Sequence, residues 1–133
     1  DTARRYASDV EVVKVVGEGF VEIVERGLED SPEGREAVRK VIEPLLGTGV
    51  DRLVLGCTHY PFLRHHIEAL VEGYGIEVVD SGEAVARRVE WLLERYDIGA
   101  SKGNKPTYNF LSFADEEYRQ RLEQRANSIK ARL

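Results

Sequence analysis

The order in which hydrophobic periodicities change along this chain constrains its fold most. Residues 11–16, EVVKVV, are rich in Val and read as a short strand. Val38, Val41, Ile42, Leu45 and Leu46 then recur at helical spacing, and VDRLVLG (50–56) follows with the nearly continuous apolar run of a buried parallel strand. Leu63, Ile67, Leu70 and Val71 mark a second amphipathic helix ending around Gly73–Gly75, and IEVVD (76–80) a third strand. Val85, Val89, Leu92 and Leu93, with Trp91 nearby, line a third helix. DIGASKGNKP (97–106) is a loop by composition, TYNFLSF (107–113) reads as a last strand, and residues 114–133 as a polar terminal helix. Strand and helix alternate throughout, which predicts an α/β fold: a parallel sheet with flanking helices.

Local punctuation supports this reading. Ser31 is a good N-cap, Pro32 suits the first helical position, and Glu33 complements the helix dipole. Pro44 falls inside the same helical pattern, so a kink or fresh start is expected near Glu43. FVEIVERG (20–27) fits a strand or a short helix equally, and Gly27 closes it. Ser81 can cap the third helix.

Several function classes are disfavoured. The net charge of −5 argues against a general nucleic-acid surface, which needs clustered cations. The longest apolar runs are too short for a membrane span, and the first residues carry no secretory pattern. One cysteine cannot form an internal disulfide, which suits a reducing, cytoplasmic setting. No methionine occurs and the chain opens with Asp-Thr, so a piece of a longer polypeptide is expected.

Chemistry concentrates where ligands bind in open parallel sheets, beyond the carboxyl ends of the strands. Gly56-Cys57-Thr58-His59 follows one strand and Asp80-Ser81-Gly82 the next, both at turns into helices. A thiol at a helix N-terminus or near positive charge is acidified, and the thiolate is the form that acts as base or nucleophile. His59 can then hold the thiol's proton or act as a general acid, and Thr58 offers a hydroxyl and an N–H to a carboxylate. The plainer alternative is that Cys57 is a small buried hydrophobe, as free cysteines usually are, and Cys-x-His alone does not decide between them. Asp80-Ser81-Gly82 is read as a turn and cap. Gly17-Glu18-Gly19 lacks the third glycine of a dinucleotide fingerprint. His59, His65 and His66 with one cysteine do not form a recognised zinc spacing, so no metal is expected, and His65 and His66 read as surface residues. From the residues alone, Glu25 could point anywhere.

The stretch LVLGCTHYPFL resembles the second cysteine motif of glutamate racemases, in the aspartate/glutamate racemase superfamily. FVEIVERGLED with the helix up to Leu46 and GVDRLVLGCTHYP resembles the segment leading into that motif, and EVVDSGEAVARRV the stretch after it. The similar region is about residues 20–89. His59 stands where related aspartate racemases typically carry a glutamate.

The resemblance implies a racemase-like (flavodoxin-like) α/β domain and a cofactor-independent two-base racemase. In that family two cysteines flank the Cα of glutamate; one thiolate takes the α-proton while the other thiol returns a proton to the opposite face. Cys57 matches the second of these, the one facing the L-enantiomer. His59 matches the residue that assists it, Thr58 a ligand-binding residue, and Glu25 a glutamate near the site. The family's first cysteine and its early Asp-Ser-Gly element are absent, and Gly17-Glu18-Gly19 stands where members commonly show Cys-Pro-Leu. By the family's architecture, residues 1–79 form most of a second α/β domain, and residues 80–133 return to a first domain that is mostly missing. Expected partners are therefore glutamate, the missing N-terminal segment of the same protein and, as an option, a second copy; nucleic acid and membrane are not. Two other readings stay open: a racemase-like amino-acid-binding module without turnover, and a racemase acting on aspartate.

Overall fold

The computed structural model describes residues 5, 6 and 8–130; the opening Asp-Thr and the last three residues of the expected terminal helix lie outside these. Two compact units divide the chain, residues 1–92 and 93–133.

In the first unit, helix α1 (Phe20–Glu25) resolves the ambiguity at 20–27 in favour of helix. Phe20, Ile23 and Val24 are buried at i, i+3 and i+4, a stripe that only helical geometry puts on one face. Gly27, at φ +69°, closes it: its N–H bonds Val24 O at 3.0 Å and the Leu28 N–H bonds Ile23 O at 2.9 Å. That pair of bonds is the Schellman closure, which needs a left-handed residue and so favours glycine.

Helix α2 (Pro32–Ile42) starts as its sequence predicts, with Ser31 Oγ accepting the Gly34 N–H at 3.1 Å. A Cβ on Gly34 would lie 2.6 Å from Leu28 O and 2.8 Å from Glu29 O, so the incoming loop packs where a side chain would stand. The fresh start expected near Glu43 is a 3-10 turn, Glu43–Leu45, with Pro44 at its beginning.

Strand β1 (Arg52–Val54) runs parallel to β2 (Glu77–Val79), with Leu53 beside Val78. Between them lie a 3-10 turn (Tyr60–Leu63) and helix α3 (Arg64–Val71). The core is formed where α1, α2 and α3 meet the sheet: Phe20, Ile23, Val24, Val38, Ile42, Leu55, Leu63, Ile67, Val71 and Val78. Each such side chain contributes roughly 1.5–3 kcal/mol by leaving water.

Four expectations are corrected. Residues 11–16 form no strand, and Val13 and Val16 are exposed. Residues 107–113 form none either, with Leu111 and Phe113 exposed. In both, β-prone residues have no neighbouring strand among the described residues, and β propensity is expressed only in a paired, half-buried setting. Strand β1 is not buried on both faces, since Val54 is 73% exposed on the side away from the core. The predicted third helix is present as α4 (Gly82–Tyr96), yet none of its residues is buried, and Val85, Val89, Trp91 and Leu93 are exposed. Amphipathic spacing fixes which face is apolar; it does not supply the surface that covers it.

In the second unit, Asp97 ends α4 at φ 51°, with the Ile98 N–H bonded to Leu93 O at 3.1 Å. Aspartate is among the few non-glycine residues that tolerate this conformation. Helix α5 (Glu116–Lys130) is the expected polar helix, capped by Asp115 Oδ1 accepting the Tyr118 N–H at 2.8 Å.

Candidate active site

The ladder ends one residue past β1, where the buried Leu55 donates its N–H to Val79 O at 2.8 Å. Beyond Gly56 the backbone turns sharply, with the Tyr60 N–H bonded to Cys57 O at 3.2 Å and the Phe62 N–H to His59 O at 3.1 Å. This turn puts Cys57 at the carboxyl edge of the sheet, half-buried, with Thr58 exposed beside it and His59 half-buried.

The His59 ring lies between two partners. Its Nδ1 is 3.8 Å from Cys57 Sγ, and its Nε2 is 2.6 Å from Glu25 Oε1. Glu25 is the last residue of α1, so packing of that helix into the core carries its carboxylate to a ring 34 positions away. An ionised carboxylate only accepts, so the proton between Glu25 and His59 belongs to Nε2. That leaves Nδ1 facing the thiol, able to take its proton and become imidazolium.

The electrostatics favour that charge distribution. The bond to Glu25 raises the His59 pKa above the ordinary histidine value, the contact with Cys57 adds to this, and partial burial opposes it. Cys57 is held below the ordinary thiol range, first by the His59 backbone N–H directed at the sulfur and then by the His59 ring. Both shifts favour the thiolate–imidazolium form over the neutral pair. The thiolate of such a pair can accept a proton from carbon and later hand it back.

The second strand end is tied to the first. Arg64, opening α3, donates to Asp80 Oδ2 at 2.7 Å, to Val78 O at 2.8 Å and to Glu68 Oε1 at 2.6 Å. Asp80 Oδ1 in turn accepts the Gly82 N–H at 2.7 Å, and Ser81 O accepts the Val85 N–H at 2.9 Å. Asp80-Ser81-Gly82 is thus a turn held by the Asp80 carboxylate, which also anchors Arg64.

Cys57, His59 and Glu25 therefore come together; Thr58 sits next to them with its side chain open to approach. His66 corrects the surface reading: it is buried, and its Nε2 bonds Glu29 O at 2.9 Å. His65 is exposed and reaches Asp30 Oδ1 at 3.2 Å. Among the described residues no three His, Cys, Asp or Glu side chains group as metal ligands, and no helix is long and apolar enough to cross a membrane. Arg64 was not distinguishable in sequence from any other helical arginine. Its role depends on where β2 lies.

The sequence profile of the family described as Asp/Glu/Hydantoin racemase matches residues 2–89. A curated glutamate racemase of Herpetosiphon aurantiacus is 40% identical over 120 residues, covering 90% of this chain and 47% of that protein. Among solved structures, glutamate racemase of Thermus thermophilus, in complex with β-chloro-D-alanine, superposes with a TM-score of 0.73 at 30% identity, covering 94% of this chain and 48% of its own. A glutamate racemase isoform of Bacillus anthracis gives a TM-score of 0.78 at 25% identity, covering 94% and 46%. The chain spans about half the length of the relatives it matches.

Proposed function

Because the chain belongs to the Asp/Glu/Hydantoin racemase family, we propose that it supplies one half of a glutamate racemase site, with Cys57 as one of two opposed thiol acid/bases. The observation that carries this is the relay from Glu25 through the two ring nitrogens of His59 to Cys57 Sγ. In the L-to-D direction the Cys57 thiolate takes the Cα proton, forming an S–H bond while the C–H electron pair stays on the substrate carbanion. A thiol on the opposite face then delivers its own proton to that carbon, inverting it. Reversal uses the same groups in exchanged roles. Electrons stay balanced within the two transfers, so the reading calls for no cofactor.

Thr58, exposed beside Cys57, is proposed to hold the substrate through its N–H and hydroxyl. His59 stabilises the thiolate as imidazolium, while Glu25 keeps that imidazolium charged. The facing thiol is proposed to come from a segment outside this chain, since Cys57 is its only cysteine. Residues 1–79 then form most of one α/β domain and residues 80–133 return to the other, where the exposed Val85 and Val89 of α4 would find their cover. The product, D-glutamate, would serve cell-wall peptidoglycan synthesis in the cytoplasm. The histidine at 59, where aspartate racemases resemble one another in carrying glutamate, favours glutamate over aspartate.

Circular dichroism of the amino acid in solution tests the reading. A polypeptide joining this chain to a preceding segment with the facing thiol should interconvert L- and D-glutamate, faster than aspartate, and lose turnover on Cys57→Ser. Binding of glutamate without interconversion by that intact polypeptide would instead identify an amino-acid-binding module.

A further inference from the structure

Tyr60 belongs to two parts of the molecule at once. Its backbone N–H closes the Cys57 turn at 3.2 Å, which fixes it relative to the thiol. Its side chain reaches the other way, where Oη accepts the Gly17 N–H at 3.2 Å. The ring stands edge-on to Phe20, with centroids 5.1 Å apart and an interplanar angle of 80°. Phe20 is 2% exposed and is the first residue of α1; Glu25 is the last.

The fit around Gly17 is tight. A Cβ there would lie 2.6 Å from Phe20 Cδ2 and 2.8 Å from both Cζ and Oη of Tyr60. Gly17 carries no left-handed backbone demand, so its absent side chain serves close approach. It lets a backbone N–H reach the phenol while the two rings meet. The six-residue α1 is too short to hold its own orientation, and its tertiary anchors decide where its far end points. The Glu25–His59 bond at 2.6 Å tolerates little displacement of that end.

Resting on the site reading above, we propose that Tyr60 is a positioning residue: its phenol, seated against Gly17, aligns α1 so that Glu25 meets His59. The hydroxyl acts through the helix and not on the substrate. Its contribution therefore disappears when Glu25 is already gone, whereas a contribution to packing alone would not.

The test uses the 133-residue chain and measures Cys57 alkylation by iodoacetamide across pH, alongside thermal melting. Tyr60→Phe keeps the ring and its contact with Phe20 and deletes only the hydroxyl. It should raise the pH midpoint of alkylation, lowering the rate at pH 7 about threefold, because the gain in thiolate nucleophilicity offsets only part of the loss of thiolate. Glu25→Gln should raise the midpoint as well, and the Tyr60→Phe/Glu25→Gln double variant no further than Glu25→Gln alone. Gly17→Ala, which pushes on the same contact from the other side, should move the midpoint in the same direction. A lowered melting temperature with the wild-type midpoint, in Tyr60→Phe or in Gly17→Ala, would overturn the positioning role. His59→Asn separates the two levels: it must raise the midpoint if the site reading holds. If it does so while Tyr60→Phe does not, only the role of Tyr60 is lost; an unchanged midpoint in His59→Asn removes both.

Discussion

Leu63 makes the connection between the Cys57 turn and α3 dependent on the core, and its truncation gives a quantitative test. It is 0% exposed and sits at the junction of the 3-10 turn and α3. Leu63→Ala removes three carbons, worth about 2.4 kcal/mol at roughly 0.8 kcal/mol per buried carbon. The cavity left behind adds to this, and buried Leu→Ala changes elsewhere cost about 2.7–5 kcal/mol. The core here is small, comprising ten buried apolar side chains among the described residues, and can partly collapse, so a loss of about 3 kcal/mol is expected. Urea unfolding followed by circular dichroism at 222 nm should show the midpoint falling by about 1–3 M with little change in slope. Trp91 is a poor reporter because it is 42% exposed. Leu63→Met, close in volume, should cost less than about 1.5 kcal/mol. Val54→Ala, at a side chain 73% exposed, should cost less than about 1 kcal/mol. Equal losses for Leu63→Ala and Val54→Ala would refute the placement of the core.

Two further outcomes follow from the same geometry. Gly34→Ala in α2 should destabilise by about 1–3 kcal/mol, reversing the gain of about 1 kcal/mol that alanine gives inside an unobstructed helix, because its Cβ would meet Leu28 O at 2.6 Å; a stabilised variant in thermal melting would contradict this. The Glu25–His59 pair gives stability a defined pH dependence. The folded His59 pKa is raised, so the pair's contribution is fully present below the ordinary histidine pKa of about 6.5. It is lost as the pH rises through the elevated folded value. Glu25→Gln should flatten that segment of a stability–pH curve measured by urea unfolding, and a wild-type slope in the variant would count against the pairing.

What could be read in advance divides along physical lines. Helix α2 was legible because Ser31, Pro32 and Glu33 act locally on their own backbone. Strands β1 and β2 were legible because short apolar runs between turn residues have few other uses. Residues 11–16 and 107–113 misled because a strand is a property of a pair, and a single segment does not reveal whether a partner lies alongside. The site divides in the same way. Cys57 and His59 are two residues apart in one turn, so their proximity follows from chain connectivity. Glu25 reaches them across 34 positions, through the packing of α1, and Tyr60 reaches Gly17 across 43. No local pattern encodes such contacts. His66 is the instructive miss, because it lies three positions after Leu63 and four before Leu70, on the buried stripe of α3. Its spacing pointed inward although its chemistry read as surface.

The central claim is that Cys57 exchanges a proton with the α-carbon of glutamate, and solvent deuterium reports that event directly. In heavy water, a polypeptide joining this chain to the facing thiol should place deuterium at Cα of both enantiomers. Cys57→Ala should abolish exchange from L-glutamate, the enantiomer whose α-proton is proposed to face this thiol. Undiminished exchange from L-glutamate in Cys57→Ala, or glutamate bound by the intact site with no deuterium at Cα, would contradict the account.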